Sequence, residues 1–214
     1  MIIKTNIAHR GNYGGMRQLT DIKYIVIHYT ANDGDTDENN GEYFKNNDVD
    51  SSAHYFVDSD SITKSVPDNY IAWHCGGKIY KHNKCRNYNS IGIEICDDIK
   101  NGSIYPSSKT IQNAIELTKM KMKEYNIPKE NVIRHFDVTG KHCPEYWINA
   151  SKWHDEFWDK LNFELTTAND ITWELNHSYF PIMDIAKFKK ELEEAKQKNS
   201  SLYWGYYKLV NKIK

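Results

Sequence analysis

Short apolar segments separated by polar loops recur along most of the chain, and several have the length of β-strands. Residues 24–27 form an unbroken apolar run that ends at His28, a pattern typical of a strand buried on both faces. Strands are also predicted over residues 52–58, 61–66 and 131–135, the first two as a hairpin. The pattern therefore predicts a sheet in which one buried strand delivers a histidine to the mouth of a cleft.

A further strand, predicted over residues 90–96, has two chemically different faces. Isoleucines at alternate positions occupy one face, so Gly92, Glu94 and Cys96 share the other. A glutamate in the middle of an apolar strand is costly to bury unless it is paired or functional. Glu94 is therefore a candidate functional residue.

Apolar residues recur at helical spacing in other segments. This spacing predicts helices over residues 38–47 and 108–125, and Pro128 follows the end of the second. Residues 1–22 are polar and glycine-bearing, and we expect an extended arm that leads into the first buried strand. A last helix in this part of the chain is marked by Trp147, Trp153, Phe157, Trp158 and Leu161.

The chain is predicted to divide into a larger unit over residues 1–165 and a smaller one over residues 166–214. In the smaller unit, Thr167 and Asp170 stand at the spacing of a capping box. Pro181 suits the start of a second helix. These signals predict a small C-terminal helical module.

Composition excludes several classes of function. The net charge of −1 provides no basic field for nucleic acid. No apolar run approaches the ~20 residues that span a bilayer, and the first residues lack the basic start and apolar stretch of a secretory signal. We therefore expect no nucleic-acid partner, no membrane insertion and a cytoplasmic location. The 15 tyrosines and six tryptophans suit a carbohydrate or peptide cleft, although packing in the core and on half-buried surface is the favoured explanation for them.

The histidines and cysteines suggest a metal site. None of the four cysteines belongs to a Cys-x-x-Cys pair, which argues against a closed structural zinc knuckle. His28, His135 and Cys143 together could bind zinc with three protein ligands and leave one position for water. Zinc lowers the pKa of such a water enough to produce a nucleophile near neutral pH. Other histidines are competing ligands that the spacing alone leaves open, namely His54, His74 and His142.

Hydrolysis at such a site needs a proton carrier and a group that stabilises the oxyanion. Glu94 is the best candidate for the carrier, because burial on its strand would raise its pKa. Lys141 stands two residues before Cys143, where its charge could help to stabilise the oxyanion. A zinc hydrolase that acts on amide bonds is therefore the hypothesis that these residues favour, and the spacing alone does not settle which three residues bind the metal.

The chain resembles the type 2 N-acetylmuramoyl-L-alanine amidases, a zinc enzyme family that includes phage lysins and is related to animal peptidoglycan recognition proteins. The resemblance covers roughly residues 22–150. It rests on several motifs in the family's order: Ile25-Val26-Ile27-His28-Tyr29-Thr30-Ala31, Ser52-Ala53-His54-Tyr55-Phe56-Val57, Ala72-Trp73-His74-Cys75-Gly76, Asn89-Ser90-Ile91-Gly92-Ile93-Glu94, Arg134-His135-Phe136-Asp137 and Lys141-His142-Cys143-Pro144.

The resemblance implies an α/β fold, with a central mixed β-sheet flanked by helices and zinc in a groove. It assigns the zinc to the same three residues, the catalytic glutamate to Glu94 and the oxyanion-stabilising lysine to Lys141. Trp73 and His74 are expected to form the wall of the groove. His54 departs from the family, since several relatives have a tyrosine near the zinc. We take it as a third substrate contact, although a supporting polar role and a proton-carrying role stay open.

The implied reaction is hydrolysis of the amide between N-acetylmuramic acid and L-alanine in bacterial peptidoglycan. The expected protein is a phage-type endolysin or an autolysin, which reaches the cell wall after release through a holin pore or by lysis. The C-terminal module is then expected to bind the wall or to serve as a packing appendage. Two alternatives are a non-catalytic peptidoglycan-binding protein and a zinc peptidase that cleaves another amide. The oligomeric state is not predicted.

Overall fold

The computed structural model describes residues 2–162. Its strands are β1 (Ile3–Thr5), β2 (Tyr13–Met16), β3 (Tyr24–Tyr29), β4 (Tyr55–Val57), β5 (Ile62–Lys64), β6 (Tyr70–Ala72), β7 (Ser90–Ile95) and β8 (Val132–Arg134). Its α-helices are α1 (Asp37–Asn46), α2 (Ser108–Tyr125), α3 (His135–Thr139) and α4 (Ala150–Glu156). The predicted C-terminal module at 166–214 lies outside the described residues.

Six strands form the central sheet in the order β1-β5-β4-β7-β3-β8. Strands β4 and β5 pair antiparallel as the predicted hairpin, and the other neighbours pair parallel. The described unit combines this mixed sheet with α-helices that lie between and after its strands along the chain. The predicted α/β fold with a central mixed sheet is therefore confirmed. Strands β2 and β6 form a separate two-stranded sheet.

Strand β3 is central because its neighbours cover both edges and its side chains are buried on both faces. Ile25, Val26 and Ile27 are completely buried, as the unbroken apolar run predicts. The register with β7 sets His28 directly beside Glu94. Side chains at paired positions of neighbouring strands point to the same face, so the two residues enter the same cleft.

The long helix α2 begins and ends where the sequence predicts. Ser107 caps its first turn by accepting a hydrogen bond from the backbone N–H of Thr110, and Asn126 ends it in the left-handed conformation, with φ 51°. Its buried face includes Leu117 and Thr118. This helix packs against the sheet and supports β3 and β7 from one side.

Three other predicted segments differ from the structure. The predicted strand over residues 131–135 ends at Arg134, and His135 is the first residue of α3. The last predicted helix is divided into α4 and two short 3₁₀ turns, Glu145–Trp147 and Trp158–Leu161. The N-terminal arm is partly regular, since it provides the edge strand β1 and strand β2. Within residues 2–162, every helix is too short or too polar to span a bilayer.

A buried ion pair fastens α2 to the loop that follows β5. Asp68, which is 5% exposed, accepts hydrogen bonds from Lys121 Nζ at 2.8 Å and from the hydroxyls of Tyr55 and Tyr125 at 2.6 and 2.5 Å. Burial alone would raise the pKa of Asp68, but the Lys121 ammonium and the hydrogen bonds hold it well below its usual range.

Replacing Asp68 with asparagine is expected to lower the free energy of unfolding at pH 7 by about 3 kcal/mol, because buried Lys121 then loses its buried ionic partner and is left with the more exposed carboxylate of Glu124. The depressed pKa stabilises the fold above the ordinary aspartate pKa, so the difference should shrink as the pH falls below about 4. Denaturant unfolding of both proteins at several pH values measures this. Asp155→Asn, at an exposed aspartate, is the control and should change little. A difference in the free energy of unfolding that stayed constant down to low pH would contradict the lowered pKa of Asp68.

Candidate metal centre

Three residues from separate parts of the chain meet at one end of the central sheet. His28 lies near the end of β3, His135 follows the neighbouring strand β8, and Cys143 lies in the loop after α3. Their potential ligand atoms all lie within 4.8 Å of one another, and the residues are 1%, 4% and 3% exposed. The structure thus brings together the three residues that the sequence predicts as metal ligands.

Arg134 holds the segments that carry two of these residues. Its guanidinium donates hydrogen bonds to the carboxylate of Asp137 at 2.7 and 2.9 Å and to the carbonyl of Trp147 at 2.6 Å. The backbone N–H of Phe136 donates to the carbonyl of Cys143 at 3.0 Å. His135 and the Cys143 loop are therefore fixed relative to each other. The sequence signal for this clamp is an arginine three residues before an aspartate.

The unpaired polar atoms at the centre fit a metal ion. Both ring nitrogens of His135 are buried without a hydrogen-bond partner among the described residues, and such orphaned atoms are rare and need an explanation. Nδ1 of His28 lies 3.6 Å from Sγ of Cys143. Two imidazoles and a thiolate are a donor set that suits a borderline-soft divalent metal.

Burial and like charges set the protonation states of the ligands. Burial, together with His135, lowers the pKa of His28 well below its ordinary value, and burial and Lys141 lower the pKa of His135 to about 4. Both imidazoles are therefore neutral at pH 7, with lone pairs to offer. Burial and the neighbouring Glu94 raise the pKa of Cys143 to about 12, so this thiol needs a bound cation to lose its proton.

Glu94 lies beside the three residues and has one free carboxylate oxygen. Its Oε1 is 3.9 Å from Nδ1 of His28, while Oε2 is buried without a partner in the described part of the chain. Burial raises the pKa of Glu94 to about 8, against the opposing effect of Lys141. A carboxyl group with a pKa near the working pH suits proton transfer in both directions.

The centre opens into a cleft of about 270 Å³. A second cavity of about 560 Å³ shares Tyr29, Thr30, Phe44, Glu94 and Lys141 with it, so the groove continues past the centre. The cleft is lined by His28, Tyr29, Thr30, Ala31, Phe44, Ser51, Ser52, Trp73, His74, Glu94, His135, Lys141, His142 and Cys143. A groove of this kind gives an extended substrate access to the centre.

The residues predicted to contact substrate divide into two groups. Trp73 and His74 line the cleft, as expected for its wall. His54 does not, because it is completely buried, and its Nδ1 accepts a hydrogen bond from the N–H of Gly92 at 2.9 Å. Its Nε2 lies 2.8 Å from the guanidinium of Arg17. The predicted substrate contact by His54 is therefore corrected to a supporting role beneath the groove.

Comparison with known proteins agrees with this arrangement. Residues 18–146 match the sequence model of the N-acetylmuramoyl-L-alanine amidases. The N-acetylmuramoyl-L-alanine amidase CwlL of Bacillus licheniformis is 35% identical over 158 residues, which are 68% of this chain and 42% of the relative. The amidase CwlA of Bacillus subtilis (strain 168) is 34% identical over 150 residues, which are 69% of this chain and 53% of the relative. The chain thus spans about half the length of the curated relatives it matches.

Solved structures share the fold over most of this chain. The catalytic domain of XlyA is 32% identical with a TM-score of 0.62, and the match covers 76% of this chain and 100% of that domain. A structure of PlyL is 30% identical with a TM-score of 0.64, over 76% of this chain and 98% of the other. The described unit therefore has the fold of these amidase domains.

Proposed function

The chain belongs to the N-acetylmuramoyl-L-alanine amidase family, and we propose that it hydrolyses the amide between the lactyl group of N-acetylmuramic acid and L-alanine in bacterial peptidoglycan. One observation carries the proposal: His28, His135 and Cys143 converge beside Glu94 in an open groove. A protein that only bound peptidoglycan would need neither the cluster of ligands nor a free carboxylate next to it. The proposed place of action is the bacterial cell wall.

We propose that the metal is zinc, held by Nδ1 of His28, a ring nitrogen of His135 and Sγ of Cys143. The neutral imidazoles and the orphaned nitrogens of His135 support this choice. When bound, zinc supplies a Lewis acid that polarises a carbonyl and lowers the pKa of water. Three protein ligands also leave a position open for water or substrate, as in catalytic zinc sites.

Two residues of this chain then have separate roles: Glu94 transfers the protons, and Lys141 stabilises the charge on the oxyanion. Glu94 accepts a proton from the water that attacks the lactyl carbonyl, and its free Oε2 is available for this. Lys141, which lines the same cleft, supplies a positive charge that stabilises the negative charge developing on the carbonyl oxygen. Glu94 next gives its proton to the leaving nitrogen of L-alanine as the C–N bond breaks. The products are a lactyl carboxylate and a stem peptide with a free amino group.

The wall of the groove supports an elongated substrate. Trp73 lines the cleft beside the centre, and an aromatic ring suits the apolar side of a sugar or a peptide. The backbone N–H of Trp73 donates to Oγ of Ser52 at 3.1 Å, which fixes this segment of the wall. We propose that Trp73 contacts the substrate on this side of the scissile bond.

Digestion of purified cell walls tests the proposal. The protein is expected to release free amino groups without new reducing sugars, and the new N-terminal residue is expected to be L-alanine. New reducing ends would show cleavage of the glycan instead. New amino groups on residues other than L-alanine would indicate a peptidase. Binding to walls without any cleavage would replace the proposal with a non-catalytic peptidoglycan-binding protein.

A further inference from the structure

A chain of hydrogen bonds leaves His28 on the side opposite the metal centre. Nε2 of His28 lies 2.9 Å from Nδ1 of His74, and Nε2 of His74 lies 3.0 Å from Oγ of Ser90. Oγ of Ser90 donates to the carbonyl oxygen of Arg86 at 2.7 Å. We propose that His74 and Ser90 are positioning residues that hold His28 in the single tautomer able to bind the metal.

The direction of this chain follows from its last member. A carbonyl oxygen only accepts, so the one hydroxyl proton of Ser90 is committed to Arg86. Oγ of Ser90 must then accept from Nε2–H of His74, which leaves a lone pair on Nδ1 of that ring. This lone pair accepts the proton on Nε2 of His28. His28 is therefore the Nε2–H tautomer, and its Nδ1 carries the free lone pair.

The free lone pair on Nδ1 of His28 points toward the proposed metal centre. Nδ1 of His28 is the atom that lies 3.6 Å from Sγ of Cys143 and 3.9 Å from Oε1 of Glu94. A histidine ligand commonly donates its other N–H to a partner that fixes its tautomer and orientation. In the opposite tautomer a proton on Nδ1 would occupy the direction of the metal.

The backbone around His74 is shaped to keep this ring in place. A Cβ atom at Gly92 would lie 2.6 Å from Cγ of His74, so the glycine in strand β7 leaves the space that the ring fills. The side-chain oxygen of Asn87 accepts from the backbone N–H of His74 at 3.2 Å and of Cys75 at 2.8 Å. Two contacts independent of the hydrogen-bond chain thus fix the ring. His74 acts through His28, which goes beyond its predicted place in the groove wall.

Nitrogen NMR of zinc-free protein reads the tautomers directly. At about pH 8, above the ordinary pKa of imidazole, long-range ¹H–¹⁵N spectra of ¹⁵N-histidine-labelled protein are expected to show both His28 and His74 as Nε2–H tautomers. In Ser90→Ala the His74 ring loses its acceptor, and the His28 signals should become a mixture of tautomers. A wild-type His28 protonated on Nδ1 would overturn the inference.

Zinc affinity, measured by competition with a chelating dye, supplies the second readout. His74→Phe keeps a ring over Gly92 but removes the acceptor, and we expect about 10–100-fold weaker zinc binding. His74→Asn retains an acceptor near the position of Nδ1 and should recover most of the affinity. His154→Asn, at an exposed histidine, is the matched control and should bind zinc as the wild type does.

These outcomes separate the inference from the proposed function on which it rests. If wild-type protein binds no zinc, the proposed metal centre itself is wrong. If wild-type protein binds zinc and a folded His74→Phe binds it equally well, the positioning role is wrong and the proposed function stands. If Asn at position 74 weakens zinc binding as much as Phe does, an acceptor near the position of Nδ1 does not restore the site, and the inference fails. Thermal unfolding of each variant confirms that the fold is intact, and Ser90→Ala provides the test if the His74 variants do not fold.

Discussion

Replacing Glu94 with glutamine is expected to lower amidase turnover by about 10²–10⁴-fold, the usual contribution of a positioned acid–base group. Glutamine has nearly the same shape as glutamate but cannot accept the proton of the attacking water. Glu94 is not one of the three proposed ligands, so zinc affinity should change much less than turnover. Release of amino groups from cell walls and competition with a chelating dye measure the two quantities on the same protein.

The same substitution has an expected effect on stability. Burial raises the pKa of Glu94 to about 8, above the ordinary glutamate pKa of about 4.3. The folded state therefore binds more protons than the unfolded state between these values, and stability falls as the pH rises through this window. In zinc-free protein at pH 7, Glu94→Gln should be more stable than the wild type.

The control for this prediction is Glu116→Gln, at an exposed glutamate on α2. It should change neither turnover nor stability by a measurable amount. Unchanged turnover in Glu94→Gln would remove this residue from the mechanism. A loss of turnover that only matched a loss of zinc would assign Glu94 to metal binding instead.

Replacing Cys143 with alanine is expected to abolish both zinc binding and amidase activity. The metal is assigned several kcal/mol of transition-state stabilisation, which corresponds to a loss of about 10³-fold or more in rate. The zinc-free fold should tolerate the change, because the thiol is then neutral and makes only a weak contact with His28. Zinc should raise the unfolding temperature of the wild type and leave that of Cys143→Ala unchanged.

Cys96→Ala is a matched control, since Cys96 is also a buried free cysteine but packs with Ala53 and Phe56 in the core. This variant is expected to lose some stability and to keep its response to zinc. If Cys143→Ala still binds zinc with wild-type affinity, the assigned ligand set is wrong. In that case His74 or His142 would be the first residues to consider as the missing ligand.

Much of the site could be predicted because it depends on strand ends. The apolar run before His28 requires a buried strand, and a strand fixes both the position and the face of its last residues. The alternation in β7 likewise predicts that Glu94 faces away from the isoleucines. The sequence pattern does not give the register between β3 and β7. The pairing of His28 with Glu94 is therefore known only from the folded sheet.

The structure differs from the sequence-based prediction where contacts between distant segments determine the position of a residue. His54 is buried partly because Arg17 reaches it from the N-terminal arm, and no local pattern links these two residues. The predicted strand at residues 131–135 loses its last residue because Asp137 caps a helix turn through the backbone N–H of Arg134. The chain of hydrogen bonds from His28 to Ser90 also joins distant segments, since its members come from β3, β7 and the loop between β6 and β7. Hydrogen bonds between segments carry no periodic signal.

The measurement that tests the central claim most directly is a zinc titration of metal-stripped protein acting on purified cell walls. Amino-group release should be absent without metal, rise in proportion to added zinc and stop rising at one zinc per chain. Cys143→Ala should stay inactive throughout the titration. Full activity in the stripped protein, or activity that zinc does not restore in wild type, would contradict hydrolysis at the His28, His135 and Cys143 centre.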